Sequence, residues 1–259
     1  MPLSLVGSEM CIRDSVNVVY GAFAAFGQTN LKRRLACSSL SHMGFVLIGI
    51  SSFTEVGING AVFQMVSHGL IAASLFFLCG TTYERTHTLM MDEMGGLALK
   101  MPKTFALFTT SAMASLALPG MSGFVAELTI FLGVAESDAY TASFKAIAIF
   151  LTAVGLVLTP IYLLSMLRVV FYGQSNEKLE LSQFNLDAKP REIFISACLI
   201  APIIIMGLYP KIATETFDAK TVEVNSKVRS ALPMVIQEAN SYHFQSDKVK
   251  ELLPAVLIN

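Results

Sequence analysis

The sequence contains no tryptophan, and only 14% of its 259 residues are charged, against about 25% in a soluble domain. A chain so poor in charge cannot cover a water-facing surface. With 54% hydrophobic residues and a mean hydropathy of +0.61, it reads as a membrane protein. The net charge of -1 and the lack of any basic stretch interleaved with aromatics give nucleic acid no place as a partner. Cysteine is scarce: three of the four, Cys37, Cys79 and Cys198, lie in apolar segments, and none forms a C-x-x-C pair or a spacing that holds zinc, haem or an iron-sulfur cluster. No glycine-rich phosphate loop follows a strand pattern, so neither nucleotide nor flavin is expected.

What is present is a series of apolar segments free of Asp, Glu, Lys and Arg, at residues 16–31, 35–54, 56–83, 104–126, 146–167 and 193–210. Each but the first is long enough to cross a bilayer as a helix, for which about 20 residues suffice. The fold class expected is therefore an all-α polytopic membrane protein of about six transmembrane helices. Threaded in order, the crossings sort the basic residues. Lys32, Arg33, Arg34, Arg85, Lys100, Lys103, Arg168, Lys178, Lys189 and Arg191 fall on one side, which the positive-inside rule makes cytoplasmic or stromal. Lys32, Arg33 and Arg34 read as a solvated anchor at a helix end. Tyr83, Tyr172 and Tyr209 stand at crossing ends, where aromatic belts form.

Three divisions are expected. Residues 1–15, MPLSLVGSEMCIRDS, lack the basic start and long apolar core of a signal peptide, and SEMCIRDS resembles translated adapter sequence; they read as a non-native leader. Residues 16–210 form the transmembrane helical domain. Residues 211–259 form a polar tail beginning on the lumenal or periplasmic side, with the apolar clusters ALPMVI and ELLPAVLI able to lie along the membrane or a neighbouring subunit.

One segment is too long for a straight crossing. From Thr104 to about Ala135 a helix would measure roughly 48 Å against a hydrocarbon core of about 30 Å. Pro119, Gly120 and Gly123 interrupt it, predicting two half-helices broken at Leu118 to Gly123. Unwound backbone at membrane depth is tolerated only where it is buried in protein or lines a wet cavity, which points to a transport path. Glu127 follows the break, and a carboxylate there costs a few kcal/mol and typically marks an ion or proton pathway. Ser122 is placed to cap the second half-helix. The bland alternative makes Glu127 half of a structural ion pair.

His42 and His68 lie inside neighbouring crossings. Ser38, Ser41 and His42 share one helical face, as do Gln64, Ser67 and His68, so each crossing carries a polar stripe. Imidazoles titrate near neutrality and can hand protons along; they can equally serve as neutral interhelical hydrogen-bonding glue. No catalytic grouping stands out in the tail, where His243 is solitary.

The stretches LKRRLACSSLSHMGFVLIGI, GAVFQMVSHGLIAASLFFLCG, YERTHT, MGGLA and SLALPGMSGFVAEL, with MPKTFALF and LTPIYLLSMLRVVFYG, closely resemble the antiporter-like chain 4 family of complex I, the proton-pumping NAD(P)H-quinone oxidoreductases, in its cyanobacterial and plastid branch. The resemblance covers residues 16 to about 232. It implies a fourteen-helix subunit with two inverted repeats, each with a broken helix, of which this chain resembles the last six helices, the second repeat. It also implies a proton relay of His42, His68 and Glu127, with Glu127 near the exit side. No cofactor is implied in this chain; quinone and iron-sulfur clusters would sit in other subunits of the assembly, its partners, in a thylakoid membrane. The family's first-half carboxylate and its two buried lysines have no counterpart here, so half of the proton path is expected to lie outside this chain. Two other functions compete: a subunit of a multi-subunit cation/proton antiporter, and a structural membrane spacer that moves no ions.

Overall fold

The computed structural model describes residues 2–138, 140–174, 187–228 and 230, with side chains from residue 12 onward. The described residues are helical almost throughout, as the long apolar segments predict. Helix α1 spans Pro2–Phe26, α2 Leu31–Ser51 and α3 Glu55–Thr86; a short 3-10 turn, Met91–Glu93, and α4, Leu97–Lys100, lead to α5, Pro102–Ser115. Then come α6, Ser122–Glu136, α7, Ala142–Tyr172, and α8, Pro190–Leu208. Among the described residues α2, α3, α7 and α8 are each long and apolar enough to cross a membrane. The halves α5 and α6, 14 and 15 residues long, each rise only about 20 Å and cross as a pair. Residues 2–15, set apart above by composition, form the opening turns of α1.

Side-chain caps fix where helices start. The Asn30 side chain accepts from the Arg33 backbone N–H at the start of α2, and the Thr54 hydroxyl from Gly57 N–H at the start of α3. Helix α5 is capped from a distance: the Asp187 carboxylate, just before α8, accepts the backbone N–H groups of Lys103 at 3.0 Å and Thr104 at 3.0 Å. At the same end Arg85, closing α3, pairs with Glu192 of α8 at 2.5 Å. The basic ends of α3, α5 and α8 are thereby tied together on one side of the bundle. At the opposite end the Ser137 hydroxyl donates to Ser52 O at 2.7 Å and Tyr140 to Ser51 O at 2.5 Å. This antiparallel arrangement matches the sorting of charge in the sequence.

One expectation is corrected here. Arg34 is no solvated anchor: it is 7% exposed, and its guanidinium donates to Phe26 O at 2.9 Å and Gln28 O at 3.0 Å. The last carbonyls of α1 have no partners within their own helix, and Arg34 satisfies them. Lys32 and Arg33 are exposed, as expected. Residues 211–228 are helical, and Ala213 and Phe217 pack on Phe63, Ala126 and Met206 while Thr221 donates to Asn59. Both apolar clusters of the tail, and Lys178, lie outside the described residues.

Candidate functional site

The break between α5 and α6 comprises residues 116–121. Helix α5 stops where Ala117 turns into the left-handed region at φ 55°, and Gly120 continues the turn at φ 96°, a conformation that costs glycine little. Gly123, expected within the break, instead lies in the first turn of α6. A Cβ there would stand 2.8 Å from Ala114 O, so this glycine lets the second half-helix return against the end of the first. Ser122 is not the cap: the capping position is Met121, with no side-chain hydrogen bond. The Ser122 hydroxyl instead pairs with Ser67 of α3 at 2.7 Å.

This backtracking brings the three predicted residues together. Glu127, one turn beyond the break and 3% exposed, places Oε1 3.3 Å from Nδ1 of His42, itself 3% exposed. Nε2 of the same ring lies 3.3 Å from the hydroxyl of Ser115, the last residue of α5. One imidazole from α2 thus bridges both halves of the broken helix. His68 of α3 lies beside it with ring centroids 5.2 Å apart and planes inclined by 35°.

Sequence reasoning missed Ser115, which the spacing rules alone do not tie to His42, and Tyr162 of α7. Tyr162 is wholly buried, its hydroxyl makes no well-formed hydrogen bond, and its neighbours are the Thr159 and Ser38 hydroxyls, with Glu127 close enough for its charge to be felt. Oε2 of Glu127 is buried without a hydrogen-bond partner. A cavity of about 470 Å³ opens beside it between α6 and α7, bounded by Leu116, Phe124, Phe131 and Pro160; Glu127 is the one charged residue among those lining it.

The arrangement carries two coupled hydrogen-bond patterns. With Glu127 ionised, Nδ1–H of His42 donates to Oε1 and Nε2 accepts from Ser115. With the proton on Glu127, the acid donates to Nδ1, and Nε2–H donates to the Ser115 oxygen. Passing the Nδ1 proton to Glu127 therefore requires Nε2 to take up a second proton from the Ser115 side, and the Ser115 hydroxyl reverses as it does so. No second carboxylate and no base other than His68 shares this pocket among the residues described above, so the group is suited to moving a proton rather than to bond cleavage.

Residues 10–154 match the model of the family described as NADH:quinone oxidoreductase/Mrp antiporter, transmembrane. The chain belongs to this family. It is 71% identical over 223 residues to NAD(P)H-quinone oxidoreductase chain 4 1 of Picosynechococcus sp., covering 86% of this chain and 42% of that relative. A Nostoc sp. protein of the same name is 63% identical over 237 residues, covering 91% and 44%. The chain thus spans less than half the length of the curated relatives it matches. Among solved structures, respiratory complex I from Thermus thermophilus superposes with a TM-score of 0.77 at 25% identity, covering 87% of this chain and 45% of that one. An archaeal membrane-bound sulfane sulfur reductase gives 0.70 at 28% identity, over 82% and 34%. The Mrp complex from Dietzia sp. shares the fold, with a TM-score of 0.69 at 19% identity over 86% and 47%.

Proposed function

We infer that this chain carries the second half of the proton path in an antiporter-like membrane subunit of a plastoquinone-reducing, photosynthetic complex I, with Glu127, His42 and His68 as the proton-handling residues. The observation that carries the reading is the His42 imidazole, with one nitrogen 3.3 Å from Oε1 of Glu127 and the other 3.3 Å from the Ser115 hydroxyl. A structural ion pair would need only the first contact. A group that must take a proton from one side and release it on the other needs both.

Electrons from NAD(P)H or ferredoxin are handled in other subunits, where quinone and iron-sulfur clusters belong, and the energy reaches Glu127 as a change in the electrostatics or geometry around the break. Exposed apolar side chains such as Tyr20, Phe23, Phe150 and Val157 then face lipid or neighbouring membrane subunits. The membrane is the thylakoid, and residues from 211 onward begin at its lumenal side. Support comes from the family match and from relatives named as NAD(P)H-quinone oxidoreductase chains.

The test is Glu127→Gln in the full-length gene, with assembly read on a native gel and with quinone reduction and acridine-dye quenching measured in the same vesicles. Proton pumping falls sharply in an assembled complex and is independent of sodium. Normal pumping by assembled Glu127→Gln complex refutes the relay.

A further inference from the structure

We propose that the lumenal end of the bundle carries a docking pocket for an arginine side chain of a neighbouring membrane subunit. The proposal rests only on the reading above that the chain is assembled beside other membrane subunits; the proton path plays no part in it.

A cavity of about 340 Å³ opens where α3 begins and α6 ends, lined by Thr54, Glu55, Val56, Glu136, Asp138 and Asn225. Its walls are fixed. Thr54 donates to Gly133 O at 3.1 Å, and a Cβ on Gly133 would stand 2.3 Å from Gly57 Cα, so the two helices meet there backbone against backbone. The third wall is the helix of residues 211–228. Thr221 ties it to Asn59 of α3, and Asn225 follows one turn later on the same face.

The pocket gathers acceptors. Glu55, Glu136 and Asp138 are exposed, and among the described residues none of them is held in an ion pair. Lys145, near the start of α7, is turned instead to Ala135 O at 3.0 Å. Glu55 lies in the first turn of α3, where the helix dipole favours a negative charge. Glu136 and Asp138 stand at the other kind of terminus, the C-terminal end of α6, where free carbonyls add to the negative potential. In the same lining Asn225 is 2% exposed, and its Oδ1 is buried without a hydrogen-bond partner. An acceptor stripped of water and left unpaired is costly, and a donor arriving from outside the chain removes that cost.

The acceptors suit an extended cation better than a bare ion. Among the described residues no three His, Cys, Asp or Glu side chains stand close enough to share one metal ion. A guanidinium spreads five donors over a rigid plane and reaches acceptors that are set apart. Its paired N–H groups suit a carboxylate while another serves the Asn225 oxygen. The surface beside the pocket indicates where the arginine comes from. Leu128 and Leu132, 46% and 55% exposed, precede Glu136 at spacings of four along one face of α6. They form an apolar ridge that leads through the membrane to the pocket. A transmembrane helix laid on this ridge, with an arginine at its lumenal end, covers the one and fills the other.

The experiment uses the full-length gene in its complex, with the doubly neutral Glu136→Gln/Asp138→Asn variant and Asn225→Ala. Complexes extracted in mild detergent are titrated with sodium chloride, and native gels with mass spectrometry identify which membrane subunit departs and at what salt. Screening weakens exposed ion pairs, so the wild type releases one neighbouring subunit as salt rises. The doubly neutral variant releases the same subunit about tenfold more readily at low salt, and Asn225→Ala shifts release in the same direction. Arginines at the lumenal ends of the released subunit are then changed to glutamine; one of them reproduces the loss and adds nothing further to the doubly neutral variant. The proposal is overturned if that variant holds every subunit as the wild type does at all salt concentrations, or if no arginine change reproduces the loss. It is overturned equally if EDTA alone releases the subunit from the wild type, since a metal ion is then the occupant. Lowered thermal stability of the variants with nothing released also overturns it, because the pocket then serves the chain's own fold. A wild-type chain that purifies without any neighbouring membrane subunit removes instead the reading on which the proposal rests.

Discussion

Gly123→Ala tests whether the close return of α6 against α5 builds the site. In a helix free of neighbours, replacing glycine by alanine stabilises by about 1 kcal/mol through propensity. At position 123 the added Cβ stands 2.8 Å from Ala114 O, where ordinary contact begins at 3.4 Å. The half-helices must part by about 0.6 Å, and overpacking of this kind costs about 1–3 kcal/mol. The net effect is destabilising by up to about 2 kcal/mol, or up to roughly 8 °C in thermal midpoint for a domain of this size. His42 holds both halves through bonds already 3.3 Å long, and a displacement of that size breaks one of them. Proton pumping per assembled complex falls with it. The control is Gly69→Ala, where a Cβ meets nothing within 4 Å; it gains propensity alone and keeps full activity. Thermal inactivation in detergent and dye quenching in vesicles read both effects. If Gly123→Ala matches Gly69→Ala in both assays, the reasoning about the break is wrong.

Further outcomes follow from the bundle ends. Arg34→Met strips the α1 carbonyls of charged donors and lowers the assembled complex by on the order of 3 kcal/mol, while Arg33→Met at the exposed neighbour stays within about 0.5 kcal/mol; native-gel yield separates them. Asp187→Asn weakens the remote cap of α5 by about 1 kcal/mol. Burial raises the Asp187 carboxyl, but the N–H groups of Thr104, Ala188 and Lys103 and the Thr104 hydroxyl outweigh it and hold it below the usual carboxylate range. A depressed folded value means that the stabilisation is complete above the unfolded value and lost as pH falls through the folded one. The difference in thermal stability between wild type and Asp187→Asn should therefore be full near neutrality and vanish in strong acid; a difference unchanged in acid contradicts the cap.

Much of this architecture is legible in the sequence. Each apolar segment falls on an observed helix, that at 104–126 on the two halves α5 and α6, and the Pro119–Gly120 pair locates the interruption, because proline and glycine act locally and their effects do not depend on distant partners. Gly123 misleads for the opposite reason: a glycine required by close approach looks like one required by a turn until the neighbour is known. Ser122 satisfies the local rule for a cap, yet Ser67 offers a stronger partner across the seam. Arg34 reads as an anchor because it sits in a basic run, whereas its environment is set by the unsatisfied end of the preceding helix. His42, His68 and Glu127 can be nominated as buried titratable groups; their convergence depends on how α2, α3 and α6 cross, which no spacing in the chain encodes. Ser115 and Tyr162 carry no signal of their own and acquire significance only from what they touch.

The most direct measurement is a double-mutant cycle on His42→Gln and Glu127→Gln, scored as proton uptake per assembled complex. If the imidazole and the carboxylate pass the same proton, each single variant removes the transfer and the double variant is no slower than the worse single. If the two losses multiply, His42 and Glu127 act independently, and the bridge across the broken helix is not the proton path.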